Sequence, residues 1–460
     1  MKLNFLKKLV FGVFIFLLLK INYAYSQYPT GYYPLWGQII PDTTVVLKWN
    51  DVSGATSYNI QVATDVNFNV LVLNQSNITV DTLLITGLDK NTIYYWRVSV
   101  HTGPNSGVWS PLKMFRCFIP SGLPNLTLWL RADKGIVLSG SNVVIWQDQS
   151  GNAYNFSQST SSNQPLLVAN AINYLPAIKF DGTNDYLATS TPITGIDASS
   201  ITLFCLAKGN SQSGGSSNAK SMFSIGTTAT GFWLARNVSN QKLMLYNKGS
   251  SIITTATLPN TGFGYRIFGA VKTYASDTKV YQNDTLVGYS TNANIIGSFT
   301  NNNANIGGNS VTSGALYNGE IAEMVLYTSA LNDNDRQIVE RYLAAKYNKS
   351  YVNLGKDKIQ NNKSLCSINL DAGFGFKSYL WSTGDTISNI NVYSSGTYWV
   401  SVIDAFGYSS VDTINVNVFD IKLNCNDTTI CYGTSLNISP VGITSQSGLS
   451  YLWSTGDTIS

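Results

Sequence analysis

Charge is scarce in this 460-residue sequence: 12% of residues are Asp, Glu, Lys or Arg, against about 25% in ordinary soluble proteins. The net charge of +4 is spread along the chain without a lysine or arginine run, which excludes a nucleic-acid footprint. There is one histidine, His101, and no Gly-x-Ser-x-Gly elbow, so a nucleophilic triad has nothing to build on. Phosphate loops and dinucleotide fingerprints are missing. The five cysteines, Cys117, Cys205, Cys366, Cys425 and Cys431, are too few to staple a chain this long. No C-x-x-C pair marks a zinc site. Cys425 and Cys431 are close enough in sequence to bridge locally. Cys205, inside Ile201–Leu206, reads as a buried strand residue.

Apolar material is plentiful, with 44% hydrophobic and 12% aromatic residues. The chain therefore has enough for several cores and is not disordered. Asn, Ser, Thr and Gly keep it in water, a habit of extracellular β-proteins. At the N-terminus Lys2, Lys7 and Lys8 precede the apolar stretch Leu9–Leu19, and Ala24-Tyr25-Ser26 offers a small-x-small cleavage site before Gln27. The apolar stretch falls short of the ~20 residues a spanning helix needs. Residues 1–26 are expected to be a signal peptide, leaving no membrane span and an extracellular or outer-surface location.

Residues 28–118 alternate with period two. Val45, Leu47 and Trp49, then Tyr58, Ile60 and Val62, then Tyr94, Trp96, Val98 and Val100 form apolar sets between turn residues, the pattern of a β-sandwich. With Trp49, the Leu88…Tyr94-x-Trp96-x-Val98 run and the closing Gly107-Val108-Trp109-Ser110, the segment resembles a fibronectin type III domain. The resemblance implies a tyrosine corner at Tyr94.

Residues 121–349 carry, in order, Leu128–Asp133, Trp146–Asn152, Phe180–Leu187, the hairpin Val280–Thr285, Ile306-Gly307-Gly308 and Gly319–Tyr327. This series resembles a laminin-G-like, concanavalin A-like jelly roll. The family's hairpin usually has Asn-Gly, whereas here Asn283 precedes Asp284; Asp also tolerates the left-handed turn conformation. A helix is expected to close the region. Asn332 caps it, Asp335 stands in the capping-box position, and Ile338, Val339, Tyr342, Leu343 and Ala345 form an apolar stripe.

Further on, Tyr379–Ser388 recurs unchanged as Tyr451–Ser460, an offset of 451 − 379 = 72 residues. Between the copies Gly396–Asp404 reads as a late strand. The pattern resembles PKD-like and immunoglobulin-like tandem modules, one over 363–420 and a second, cut short, over 421–460. In that family Gly-Cys often follows the position of Asp404. Here Gly407 is followed by Tyr408, so an intradomain disulfide to Cys366 is not implied. The chain is expected to be part of a longer protein. The predicted fold class is all-β, a tandem of β-sandwiches.

The concanavalin A-like fold also hosts glycoside hydrolases, whose paired carboxylates stand at i, i+2 or i+4 on one strand face. The nearest candidates, Glu320 and Glu323, are spaced i, i+3, which on a regular strand sends them to opposite faces. No catalytic residue is therefore expected. Asp148, Asp181, Asn184 and Asp185 supply hard oxygen ligands that would suit calcium, the one candidate cofactor; the plainer reading makes them turn residues. For sugar stacking Trp233, Tyr317 and Tyr327 are the candidates, provided they face outward. The function expected is adhesion or carbohydrate binding, with a glycan or cell-surface protein as partner. The alternatives are a secreted polysaccharide-degrading hydrolase or a structural spacer.

Overall fold

The structure is a computed structural model. It describes residues 28–29, 32–52, 54–102, 107–196, 200–213, 217–226, 231–247, 250–291, 303–308, 314–347, 352, 354–355, 358–361, 367–373, 376–404, 409–419, 422–423 and 440–441. These are nearly all β, with one α-helix among them. The chain divides into two compact units. One comprises the residues up to Gln38, Val45–Ile85 and Ile93–Phe115; the other comprises Ile39–Thr44, Thr86–Thr92 and Arg116 onward. No helix among the described residues is long and apolar enough to cross a membrane.

The first seven strands are β1 (Gln38–Ile40), β2 (Val45–Lys48), β3 (Ser57–Ala63), β4 (Leu71–Ile78), β5 (Thr82–Ile85), β6 (Thr92–Thr102) and β7 (Lys113–Cys117). They form one sheet ordered β1–β7–β6–β3–β4 and a two-stranded sheet β2–β5. All three alternating sets read from the sequence are buried. Trp49 meets Tyr58 edge-on at 5.5 Å between centroids, and Tyr94 stacks on Phe115 at 5.5 Å. On the outward face of β6 the Arg97 guanidinium lies 4.1 Å from the Phe68 ring centroid and 4.6 Å from that of Trp109.

The jelly roll begins with β8 (Leu126–Arg131), β9 (Ile136–Ser139), β10 (Asn142–Trp146), β11 (Phe156–Ser157), β12 (Leu166–Ile172), β13 (Leu175–Asp181) and β14 (Leu187–Thr189). It continues through β15 (Ile201–Gly209), β16 (Ala219–Ile225), β17 (Phe232–Asn237), β18 (Lys242–Asn247) and β19 (Ser250–Thr257). The last strands are β20 (Phe263–Lys272), β21 (Thr278–Gln282), β22 (Thr285–Ser290), β23 (Asn305–Ile306) and β24 (Asn318–Tyr327), followed by α1 (Asp333–Tyr347). One sheet runs β22–β21–β20–β15–β24, with β24 pairing onward to β13 over one half and to β8 over the other. The second runs β19–β18–β17–β16–β23–β14–β11–β10–β9. Strand β12 joins the two by pairing with both β13 and β10.

Between the sheets lies an apolar core that includes Trp146, Phe180, Leu203, Cys205, Phe223 and Leu245. A second apolar cluster lies under α1, where Val339, Tyr342, Leu343 and Tyr347 meet Phe204, Ala322 and Val325. The helix starts where expected: Asn332 Oδ1 accepts the Asp335 N–H at 3.0 Å. Asp335 reaches back to the Asn332 side-chain amide rather than to its backbone. The buried face differs from the expected stripe in carrying two charged residues, Arg336 and Glu340.

The third region contains β25 (Lys358–Asn361), β26 (Ile368–Asp371), β27 (Ser378–Trp381), β28 (Asn389–Val392), β29 (Gly396–Ile403) and β30 (Ser409–Phe419). A four-stranded sheet β25–β30–β29–β27 and a pair β26–β28 enclose their own core on Trp381, Val400, Val402 and Ile414. The repeat copy Tyr451–Ser460 and residues Cys366, Cys425 and Cys431 lie outside the described residues.

Candidate functional site

The carboxylates considered for catalysis are placed by a β-bulge. Across the ladder to β15, Leu206 faces Glu323 and Ala207 faces Ile321, so Ala322 is an extra residue in β24. The bulge resets the alternation and brings Glu320 and Glu323 to the same, helix-covered face, correcting the opposite-face expectation. Even so, Glu323 meets no substrate. It is 0% exposed and accepts from Trp129 Nε1 (2.7 Å), Tyr342 Oη (2.9 Å), Tyr347 Oη (2.8 Å) and Lys346 Nζ (2.6 Å). Four donors from β8 and α1 converge on one carboxylate, which makes it the fastening of helix to sheet. Beside it Asp133, although desolvated, is held down to about 2 by Arg131 and Lys346. Glu320 pairs with Lys208 Nζ at 3.0 Å and accepts from Tyr265 Oη at 2.5 Å.

The oxygen ligands considered for calcium organise two separate loops. Asp148 accepts the backbone N–H groups of Trp129, Ser150 and Tyr154 and the Ser150 hydroxyl, at 2.7–3.1 Å. Asp181 Oδ1 accepts N–H from Thr183, Asn184 and Asp185, and Asp185 Oδ2 accepts the Asp181 N–H at 2.9 Å. Burial, with the neighbouring Asp181 charge, pushes the Asp185 carboxyl up to about 6. Asn184 is engaged through its amide, which donates to Ser162 O. These hydrogen bonds order the two loops, and among the described residues no three His, Cys, Asp or Glu are grouped to hold a metal.

Of the three aromatics expected to stack on sugar, none is an open platform. Tyr317 sits in the inter-sheet core, and Tyr327 lies under α1 with its hydroxyl donating to Pro120 O at 2.9 Å. Trp233 does point away from the inter-sheet core, in a cross-strand row Asn305–Ser224–Trp233–Tyr246. It is nevertheless only 3% exposed.

An open aromatic stands instead on β29. Val400 and Val402 are buried, so Trp399, Ser401 and Ile403 alternate to the other face. Trp399 is 38% exposed. Its backbone is clamped to the segment after β27: Ser382 N–H donates to Trp399 O at 2.8 Å, and Trp399 N–H donates to Ser382 Oγ at 3.2 Å. Thr413 faces Trp399 across to β30, while Ser401 lies between Leu380 on β27 and Val411 on β30. Hydroxyls and apolar groups thus alternate over the face formed by β27, β29 and β30. The outward positions of β27, β29 and β30 carry no ionisable side chain among the described residues. Such a face can stack an indole on a sugar ring and exchange hydrogen bonds with its hydroxyls. It holds no acid, base or nucleophile. The sequence signal for Trp399 was present in the same alternation that marks Val400 and Val402 as core.

No family model and no curated protein matches the chain. Among solved structures it is similar to domain 4 of AbnA, an extracellular GH43 arabinanase from Geobacillus stearothermophilus, in complex with arabinotriose. There the identity is 14%, over 47% of this chain and 98% of that one, with a TM-score of 0.34. It is also similar to the binding domain of botulinum neurotoxin DC in complex with SialylT, at 11% identity, 67% and 76% coverage and a TM-score of 0.36. An Fn3-like protein from Clostridium thermocellum matches at 26% identity over 20% of this chain and 91% of that one, with a TM-score of 0.17. At such TM-scores the likenesses assign no function to this chain.

Proposed function

We propose that the protein is a non-catalytic, exported glycan-binding protein that attaches to saccharide through the face bearing Trp399. The observation that carries this reading is a half-exposed indole, its main chain tied to Ser382 by two hydrogen bonds, on strand positions that carry hydroxyl and apolar groups and no charge. The signal-like N-terminus and the low charge support a place outside the cell. Binding needs no cofactor, since Trp399 and its hydroxyl neighbours supply the contacts themselves.

The test is a glycan array probed with the full chain, with calcium and with a chelator, beside Trp399→Ala. Wild-type signal on a defined glycan, unchanged by chelation and lost in the variant, supports the reading. A blank array, or a signal that survives Trp399→Ala, refutes it.

A further inference from the structure

We infer that the ligand of the Trp399 face is a neutral polysaccharide lying flat along the strands, and that the face excludes acidic glycans. This rests on the glycan-binding reading and names its substrate class. The first observation is the shape of the face. It is the surface of an open sheet, where exposed apolar groups (Trp399, Leu380, Ile403 and Val411, the last 51% exposed) stand among the hydroxyls of Ser401 and Thr413. Strands lie about 4.8 Å apart and alternate residues about 6.7 Å apart along each strand. Apolar patches and hydroxyls therefore repeat in two directions on the scale of a sugar ring. A pyranose chain offers the matching pattern, C–H faces beside hydroxyl edges, on every residue. A short end-on ligand would need a pocket, whereas these side chains are spread over the open face of a sheet.

The second observation is charge. Elsewhere the outward sheet faces carry it: Arg97 on β6, and Lys208 with Glu320 on the helix-covered sheet. On β27, β29 and β30 none of the outward positions does. No outward strand position there compensates a uronate or sulfate, whose desolvation against Leu380 and Val411 would go unmatched.

The experiment is affinity electrophoresis of the full chain through gels containing hydroxyethylcellulose or mixed-linkage β-glucan as neutral probes, or alginate as the acidic probe. Wild type is expected to be retarded by at least one neutral polymer and to run freely in alginate. Trp399→Ala should abolish the retardation. Thr413→Lys, which places a cation beside the indole, should create retardation in alginate. Circular dichroism and melting confirm that both exposed variants fold. Equal retardation of wild type by alginate and neutral polymer overturns the substrate class while leaving glycan binding intact. So does a Thr413→Lys protein that still runs freely in alginate. No retardation in any gel, together with a blank glycan array, removes both readings.

Discussion

Asp284 Oδ1 lies 2.8 Å from Arg336 Nη1, joining the tip of the β21–β22 hairpin to the buried face of α1. Asn283 and Asp284 both have positive φ, 49° and 64°, the turn that Asn-Gly would make with less strain. The Asp at the second position is explained by its carboxylate, because Arg336 is buried and also serves Glu340 at 2.9 Å. Its guanidinium stacks on Tyr281, 3.8 Å from the ring centroid.

Replacing Asp284 by Gly relieves the turn but leaves Arg336 with less compensation. Removing one partner of a buried pair costs about 3–5 kcal/mol. With Asp284 partly exposed and the turn relaxed, a net loss of about 1–2 kcal/mol is expected in denaturant melts. Unchanged or raised stability would show that the pair does not fasten the helix.

Glu340 sets a pH dependence. Burial, opposed by Arg336 and reinforced by the Asp284 carboxylate, pushes it from 4.5 up to about 7. A carboxyl that is harder to ionise in the folded state takes up a proton on folding between these values. Its contribution is therefore full below about pH 4.5 and is lost as pH rises through about 7. Stability of Glu340→Gln should fall less over that window than stability of the wild type. Parallel pH curves for the two would count against the assignment.

Glu323 is expected to be the most sensitive polar position in the jelly roll. Glu323→Ala removes the acceptor shared by Trp129, Tyr342, Tyr347 and Lys346, the last of which keeps its pair with Asp133 at 2.9 Å, with an expected loss of about 3 kcal/mol. Hydrogen exchange across 333–347 should accelerate. Glu323→Gln, which keeps an acceptor, should be milder. Equal exchange in wild type and Glu323→Ala would mean that apolar packing alone holds α1.

Gly307 has φ +76° and lies under the Phe180 ring, so an added Cβ would collide with it. Gly307→Ala combines overpacking with left-handed strain and should cost about 2–4 kcal/mol. A melt within error of wild type would show that Phe180 can move aside.

Much of the architecture was legible because period two is a local signal. The inward sets on β2, β3 and β6 and the capped start of α1 follow from adjacent residues. The bulge at Ala322 was hidden, since an extra residue is defined by the partner strand and not by its own sequence. Arg336 and Glu340 were missed on α1 for a related reason: their burial depends on Asp284, about fifty residues away. Choosing among aromatics failed similarly. Trp233 faces away from the inter-sheet core yet is covered, whereas Trp399 is open, and an alternating pattern distinguishes faces without telling which face is covered.

The most direct test of the glycan reading is titration calorimetry of the full chain against the best glycan from the array. Wild type, Trp399→Ala and Trp233→Phe would be compared. Binding that is lost in Trp399→Ala and retained in Trp233→Phe is the predicted result. Binding retained in Trp399→Ala, or lost only in Trp233→Phe, would contradict the account.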